Sequence, residues 1–258
     1  MTVLPITASF PDCHDCPCFR SGPGEVCLRC AGAQIAVPTA AACPLCAQRL
    51  GDAGRCPNEL CRNPRRRIGK IHAIGYQEGA LRRAIRAYKY GGVRSWSTIF
   101  GRLLLAWLEQ NMAGTPPGLI AANPTYTRTE SANAASEFDT SGGSGFAHTE
   151  AVLRAAAAED AENRWPFDTG TPPALEKTRP TLKSSDGQES AKRLSGNDLR
   201  SALHIPDPSR TRGKLIVVYD DVCTTGAQLD AVAGCLLDEG GAASVEGIVL
   251  ARAPWRGR

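Results

Sequence analysis

The chain has 258 residues, 42% of them hydrophobic and 22% charged, which is room for one sizeable domain with a small appendage and argues against wholesale disorder. Thirty Lys+Arg against 26 Asp+Glu leave a formal charge of +4, too small to mark a nucleic-acid binder by charge alone. No apolar run is long enough to cross a bilayer, and the opening MTVLPITASFPDCHDC lacks the basic-then-apolar order of a secretory signal, so a cytoplasmic protein without membrane insertion is expected.

Nine of the 11 cysteines lie between Cys13 and Cys61, paired as Cys13-x2-Cys16, Cys27-x2-Cys30, Cys43-x2-Cys46 and Cys56-x4-Cys61, with Cys18 and His14 as extra donors. A short knuckle brings two thiolates to one ion, and a second knuckle closes a tetrahedron. Two structural zinc sites are expected, one on Cys13, Cys16, Cys27 and Cys30 and the other on Cys43, Cys46, Cys56 and Cys61. Interleaved pairing satisfies the same counts, and a disulfide scaffold or an iron–sulfur cluster competes with zinc. The segment has few apolar residues, so metal would supply the folding free energy and chelation should unfold it. Arg62, Arg65, Arg66, Arg67 and Lys70 follow at once. Arg65, Arg66 and Arg67 are candidate contacts to nucleic-acid phosphates, the alternative being a solvated linker.

The spacing then predicts a strand at IHAIGY and a basic amphipathic helix on Leu81, Ile85 and Tyr88, stopped by Gly91-Gly92. A second helix carries Ile99, Leu103, Leu104 and Trp107 to about Gln110, and LIAA at 119–122 is a short buried strand. From Thr125 to Ser190 the composition turns to Ser, Thr, Gly and Pro around an alanine-rich helix near Glu150 to Ala161, which predicts an expanded, loop-like and flexible centre. Order returns with the strand LIVVY (215–219), a helix on Leu229, Val232 and Leu236, a Gly240-Gly241 stop and the strand SVEGIVLAR. A strand–helix–strand unit implies an α/β fold with a mostly parallel sheet.

The junction LIVVYDDVCTTGAQL carries the chemistry. An apolar strand ending in Asp220 and Asp221 puts two carboxylates at the carboxyl edge of a parallel sheet, where they can accept from sugar hydroxyls. Thr224, Thr225, Gly226 and Ala227 then open a helix, and free backbone N–H groups with two hydroxyls suit a phosphate dianion. Together they describe a sugar phosphate. The alternative is an acidic strand end before an ordinary Thr cap. Cys223 and Cys235 read as small buried thiols, and His72, His148 and His204 have no metal-ligand spacing.

This junction resembles the phosphoribosyl-pyrophosphate signature of type I phosphoribosyltransferases. With the knuckles and IHAIGYQEGALRRAIRAYKYGG, both ends of the chain look like the ComF/GntX family of competence-associated phosphoribosyltransferase-like proteins. The resemblance implies a type I phosphoribosyltransferase-like sheet over 70–258 behind a zinc-ribbon-like domain over 1–69. It implies Lys89 as a pyrophosphate contact, and Arg193, in a loop with Ser190 and Asn197, as a second offset to pyrophosphate charge. Family members carry Pro-Val-Pro and Gly-Phe-Asn-Gln where this chain reads AANPTYTR and Gly145-Phe146-Ala147-His148.

The expected activity is binding of phosphoribosyl pyrophosphate with Mg2+, and transfer of phosphoribosyl to a nitrogen nucleophile with release of pyrophosphate. Asp220 and Asp221 would orient ribose and stabilise oxocarbenium charge. The competing expectations are a non-catalytic DNA-uptake adaptor touching single-stranded DNA or a helicase, and a phosphoribosyl-pyrophosphate sensor. A homodimer is compatible with the sequence.

Overall fold

Four parallel strands form the centre of the molecule in the order β1-β6-β5-β2. The computed structural model describes residues 35–51, 53–126, 146–181, 196 and 198–255. Strand β1 is Ile71–Tyr76, β2 Leu119–Ala122, β5 Leu215–Cys223 and β6 Ser244–Arg252. A separate antiparallel pair, β3 (Glu176–Lys177) and β4 (Leu203–His204), lies between them in the chain. The helices are α1 (Gly79–Tyr90), α2 (Trp96–Asn111), α3 (His148–Glu159) and α4 (Ala227–Asp238).

Alternation along β5 sorts the layers. Val217 and Tyr219 join Ile74, Ile120, Ile248 and Leu250 in a core covered by α1, α2 and α3. Ile216 and Val218 turn to the other face, with Ile71, Ala73 and Val249, under α4 and the cysteine-bearing segment. A strand covered on both faces must be apolar throughout, which is why LIVVY shows no polar alternation. On α1, Leu81, Ile85 and Tyr88 are buried while Arg82, Arg83 and Arg86 are exposed, as the spacing predicts.

Helices α2 and α3 cross closely at Gly101. A Cβ added there would stand 2.7 Å from the Ala156 backbone nitrogen and 3.0 Å from the Ala155 Cβ. Gly101→Val is expected to cost about 2 kcal/mol or more, measured as a lowered denaturation midpoint. An unchanged midpoint would show that the two helices can part without loss.

Two stretches differ from the sequence expectation. Strand β5 runs on to Cys223, so Asp220 and Asp221 lie within the strand, with Asp220 opposite Val249. Ladder bonds to β6 hold them extended, an effect that apolar patterning does not report. Residues 146–181, expected to be mainly loop apart from a helix, are built into the core. Trp165, Ala174 and Leu175 are buried, and Phe167 bridges to Ile120. Buried carboxylates replace sheet partners there: Asp160 accepts from the Trp165 N–H at 2.8 Å, and Asp168 from the Ala174 N–H at 2.7 Å.

Among the described residues, no helix is long and apolar enough to cross a membrane.

Candidate functional site

Two features meet below and around the carboxyl end of β5. The first is a cage of thiols. Cys43 and Cys46 are buried in a tight turn, Cys61 lies within a 3-10 turn at Glu59–Arg62, and Cys56 precedes it. Their sulfurs all lie within 4.8 Å of one another. The Sγ atoms of Cys43 and Cys61 are 3.8 Å apart, and those of Cys46 and Cys56 3.7 Å. Disulfide sulfurs would be about 2.05 Å apart. Four sulfurs around an ion at about 2.3 Å would be about 3.8 Å apart, so the cage could hold one zinc ion. The other expected ligands, Cys13, Cys16, Cys27 and Cys30, lie outside the described residues, with Cys18 and His14.

The donor set has a charged neighbour. The Arg252 side chain is fully buried, and its guanidinium forms no ion pair with a carboxylate among the described residues. It donates to the Cys223 carbonyl at 3.1 Å and the Cys223 sulfur at 2.6 Å, and its other nitrogen is 3.8 Å from the Cys46 sulfur. Four thiolates around a divalent ion would carry two net negative charges and would give this buried cation a counterion. Burial resists ionisation of Cys46, but Arg252 and hydrogen bonds from Cys61, Gln48 and Asn58 outweigh it and hold the thiol below its ordinary pKa.

The second feature is acidic. Strand β2 ends opposite Tyr219, where the Asn123 N–H donates to the Tyr219 carbonyl at 2.7 Å, so the two acids project past their neighbour. The chain leaving β2 runs to α3 on one face and that leaving β5 to α4 on the other. Such a switch opens a crevice at the carboxyl edge of a parallel sheet. Lys89, at the end of α1, reaches into it and places its Nζ 2.6 Å and 2.7 Å from the two carboxylate oxygens of Asp221. Burial works against that ammonium, yet Asp221 and Asp220 hold its pKa above the ordinary value. Asp220 is pushed up to about 7, by burial first and by Asp221 second. Lys89, the Asp221 N–H and the Asn123 side chain only partly offset this.

His148, expected to be an ordinary histidine, forms part of the wall. Its ring packs edge-on against Tyr88 and Phe146, and Tyr88 donates its hydroxyl to the His148 carbonyl at 2.7 Å. Burial lowers the imidazole pKa, Lys89 and Arg94 lower it further, and Asp221 opposes them. Asn123 and His148 went unrecognised as site residues because nothing in their spacing points to Asp220 or Asp221.

Immediately after β5 the backbone turns into α4 through Thr224, Thr225 and Gly226. Gly226 has φ +85°, a conformation that favours glycine, and a Cβ there would meet the Ile71 Cδ1 at 2.7 Å and the Leu60 Cδ2 at 3.0 Å. The first helical bond runs from the Asp230 N–H to the Gly226 carbonyl, 2.9 Å. The N–H groups of Thr224, Thr225 and Gly226 have no acceptor among the described residues, while the Ala227 N–H makes a long 3.3 Å bond to the Thr225 hydroxyl. The structure therefore offers two carboxylates, an ammonium and a run of free amides within one edge of the sheet.

The remaining candidates lie elsewhere. Arg67 is ion-paired with Asp238, and its N–H donates to Asp230 at 2.7 Å. The Arg66 Nε donates to the Ile68 carbonyl at 2.8 Å, and Arg65 is exposed. Arg193, Ser190 and Asn197 lie outside the described residues. Cys223 and Cys235 are buried thiols, and burial pushes each up to about 12. His72 pairs with Glu246 at 2.7 Å, and His204 is exposed. No protein-family model matches this chain, and no curated protein matches its sequence.

Proposed function

We propose that this is a phosphoribosyltransferase-like protein of the ComF/GntX type that binds phosphoribosyl pyrophosphate at the carboxyl end of β5. The observation that carries the reading is the succession, within seven residues, of two adjacent acids and a loop of free amides at a helix start (220–226). The amides of Thr224, Thr225 and Gly226 and the threonine hydroxyls would take the 5-phosphate. Asp220 and Asp221 would accept from the ribose hydroxyls. A hydroxyl donating to Asp221 would replace the Lys89 ammonium, freeing it for the pyrophosphate. Mg2+ would arrive with the ligand and supply charge neutralisation between pyrophosphate and ribose oxygens. In transfer, a bond from a nitrogen nucleophile to the anomeric carbon forms as the carbon–oxygen bond to pyrophosphate breaks, and the nitrogen loses its proton to solvent. The cage supports a structural zinc reading, while a second zinc on Cys13, Cys16, Cys27 and Cys30 rests on their sequence spacing alone.

A second reading, binding without turnover, draws on the wall. Phe146, Ala147 and His148 stand where family members carry Phe-Asn-Gln, and the two rings pack on Tyr88. That supports a phosphoribosyl-pyrophosphate sensor. The DNA-uptake adaptor has less support, because Arg67 is committed to Asp238.

Isothermal titration of the zinc-loaded protein with phosphoribosyl pyrophosphate and Mg2+ tests the reading. Saturable binding weakened at least tenfold by Asp221→Asn is expected, and pyrophosphate release with nucleobases or amines then separates enzyme from sensor. No binding by folded wild type would remove it and leave the adaptor.

A further inference from the structure

The cysteine cage and the amide loop share more than a neighbourhood. Asn58 stands between the cage residues Cys56 and Cys61 and is 2% exposed. Its Oδ1 accepts from the Leu60 N–H at 3.2 Å, and its Nδ2 donates to the Thr225 carbonyl at 2.9 Å. One buried amide thus closes the cage's own turn and grips the loop. Leu60, from the same turn, blocks the space beside Gly226. On the other side, Arg252 spans from the Cys46 sulfur to the Cys223 carbonyl.

Peptide planarity turns these grips into direction. In a trans peptide the carbonyl and the following N–H point opposite ways. Holding the Cys223 and Thr225 carbonyls from the cage side therefore aims the N–H groups of Thr224 and Gly226 away from it.

We propose that the tetracysteine cage is the footing of the amide loop, with Asn58 and Arg252 as positioning residues that carry its geometry to Thr224–Gly226. An ion in the cage would never touch the ligand, yet its presence would fix where the loop amides point. Without it, no cross-link ties the Cys56–Cys61 turn to the Cys43–Cys46 turn, whose cysteines form no disulfide, and so short a segment has little apolar surface to hold them together. The consequence for phosphate affinity rests on the function proposed above, whereas the mechanical link does not.

Asn58→Asp separates the roles of this side chain. Aspartate keeps the acceptor for the Leu60 N–H but faces the Thr225 carbonyl with an oxygen. In the full-length zinc-loaded chain we expect unchanged zinc content, amide hydrogen exchange across 230–233, the first bonded amides of α4, whose anchor is the Gly226 carbonyl, faster by about tenfold, and phosphoribosyl-pyrophosphate binding about tenfold weaker. A role confined to capping would leave all three unchanged, and unchanged exchange in the loaded variant would overturn the proposal. Should the variant lose zinc or fail to fold, the wild-type chain decides. Chelation must accelerate exchange across 230–233 and zinc must restore it, and full protection of these amides in zinc-free protein would overturn the proposal. If wild type binds no phosphoribosyl pyrophosphate but exchange responds as expected, the link stands and the phosphate reading falls.

Discussion

Asp220→Asn is expected to make the protein more stable at pH 8 and unable to bind phosphoribosyl pyrophosphate with wild-type affinity. The Asp220 carboxyl is raised from 3.8 to about 7 in the folded chain, through burial and the charge of Asp221. A group that holds its proton more tightly when folded stabilises the fold fully below about pH 4, and that contribution is lost as the pH rises through 7. At pH 8 the folded protein therefore carries a buried charge that opposes folding. Three pKa units set a ceiling of about 4 kcal/mol, and relaxation around the site reduces it to about 1–3 kcal/mol. Asparagine has no such charge, and Lys89 keeps Asp221 as its partner. Melting temperature should rise by about 3–10 °C at pH 8, and the gain should shrink steadily as the pH falls below 7, vanishing only below about pH 4, where Asp220 is neutral in both the folded and the unfolded chain. Melts across pH 5–8 check this, and a pH-independent difference would refute it. Ligand affinity should follow the opposite course in wild type, rising with pH until about 7 as the carboxylate forms.

Removing one thiol from the cage should have the larger structural effect. Cys46 is almost fully buried, and Arg252 depends on its side of the cage for negative charge. Cys46→Ser leaves three thiols and a buried guanidinium with a poorer counterion. Structural zinc in small domains contributes on the order of 10 kcal/mol to folding, so the segment from 35 to about 69 should lose its fold. The Leu45 carbonyl, which accepts from the Ile71 N–H at 2.8 Å, would let go of the start of β1. Limited proteolysis should then cut within 35–69 while the sheet survives. In wild type, burial pushes Cys56 up to about 11 and Cys61 higher still. Loading the cage must therefore expel protons, and zinc release on acidification, followed with a colorimetric chelator, should be steep. Zinc content unaffected by Cys46→Ser would show that these four residues do not hold the ion.

The strands and helices were legible where burial imposes a period. IHAIGY and SVEGIVLAR match β1 and β6 to the residue, and the stop at Gly91-Gly92 matches the end of α1. The acids and the turn after them stood out because adjacent carboxylates after an apolar run are chemically unusual. What the sequence hid were bonds between distant segments: Lys89 to Asp221, Asn58 to Thr225, Arg252 to Cys46. Each depends on which strands become neighbours, and no local pattern records that. Asn58 could be read as a turn cap and Arg252 as the end of a strand, but neither residue names its partner. Trp165 and Leu175 were lost in a polar stretch because their partners belong to other segments.

The strand order β1-β6-β5-β2 also bears on the chain as it leaves the ribosome. Among the described residues β1 pairs with no strand but β6, and Ile71 meets Gly247 across most of the described sequence. During synthesis β1 emerges early with only the Leu45 and Ala36 carbonyls of the preceding segment to bond, and its other edge stays open until β6 arrives. β6 then pairs β1 on one side and β5 on the other in a single event, the kind of late, long-range closure that slows folding. A message truncated before residue 244 would yield no shortened version of this sheet, only a β5–β2 pair and an orphaned first strand with an open, sticky edge.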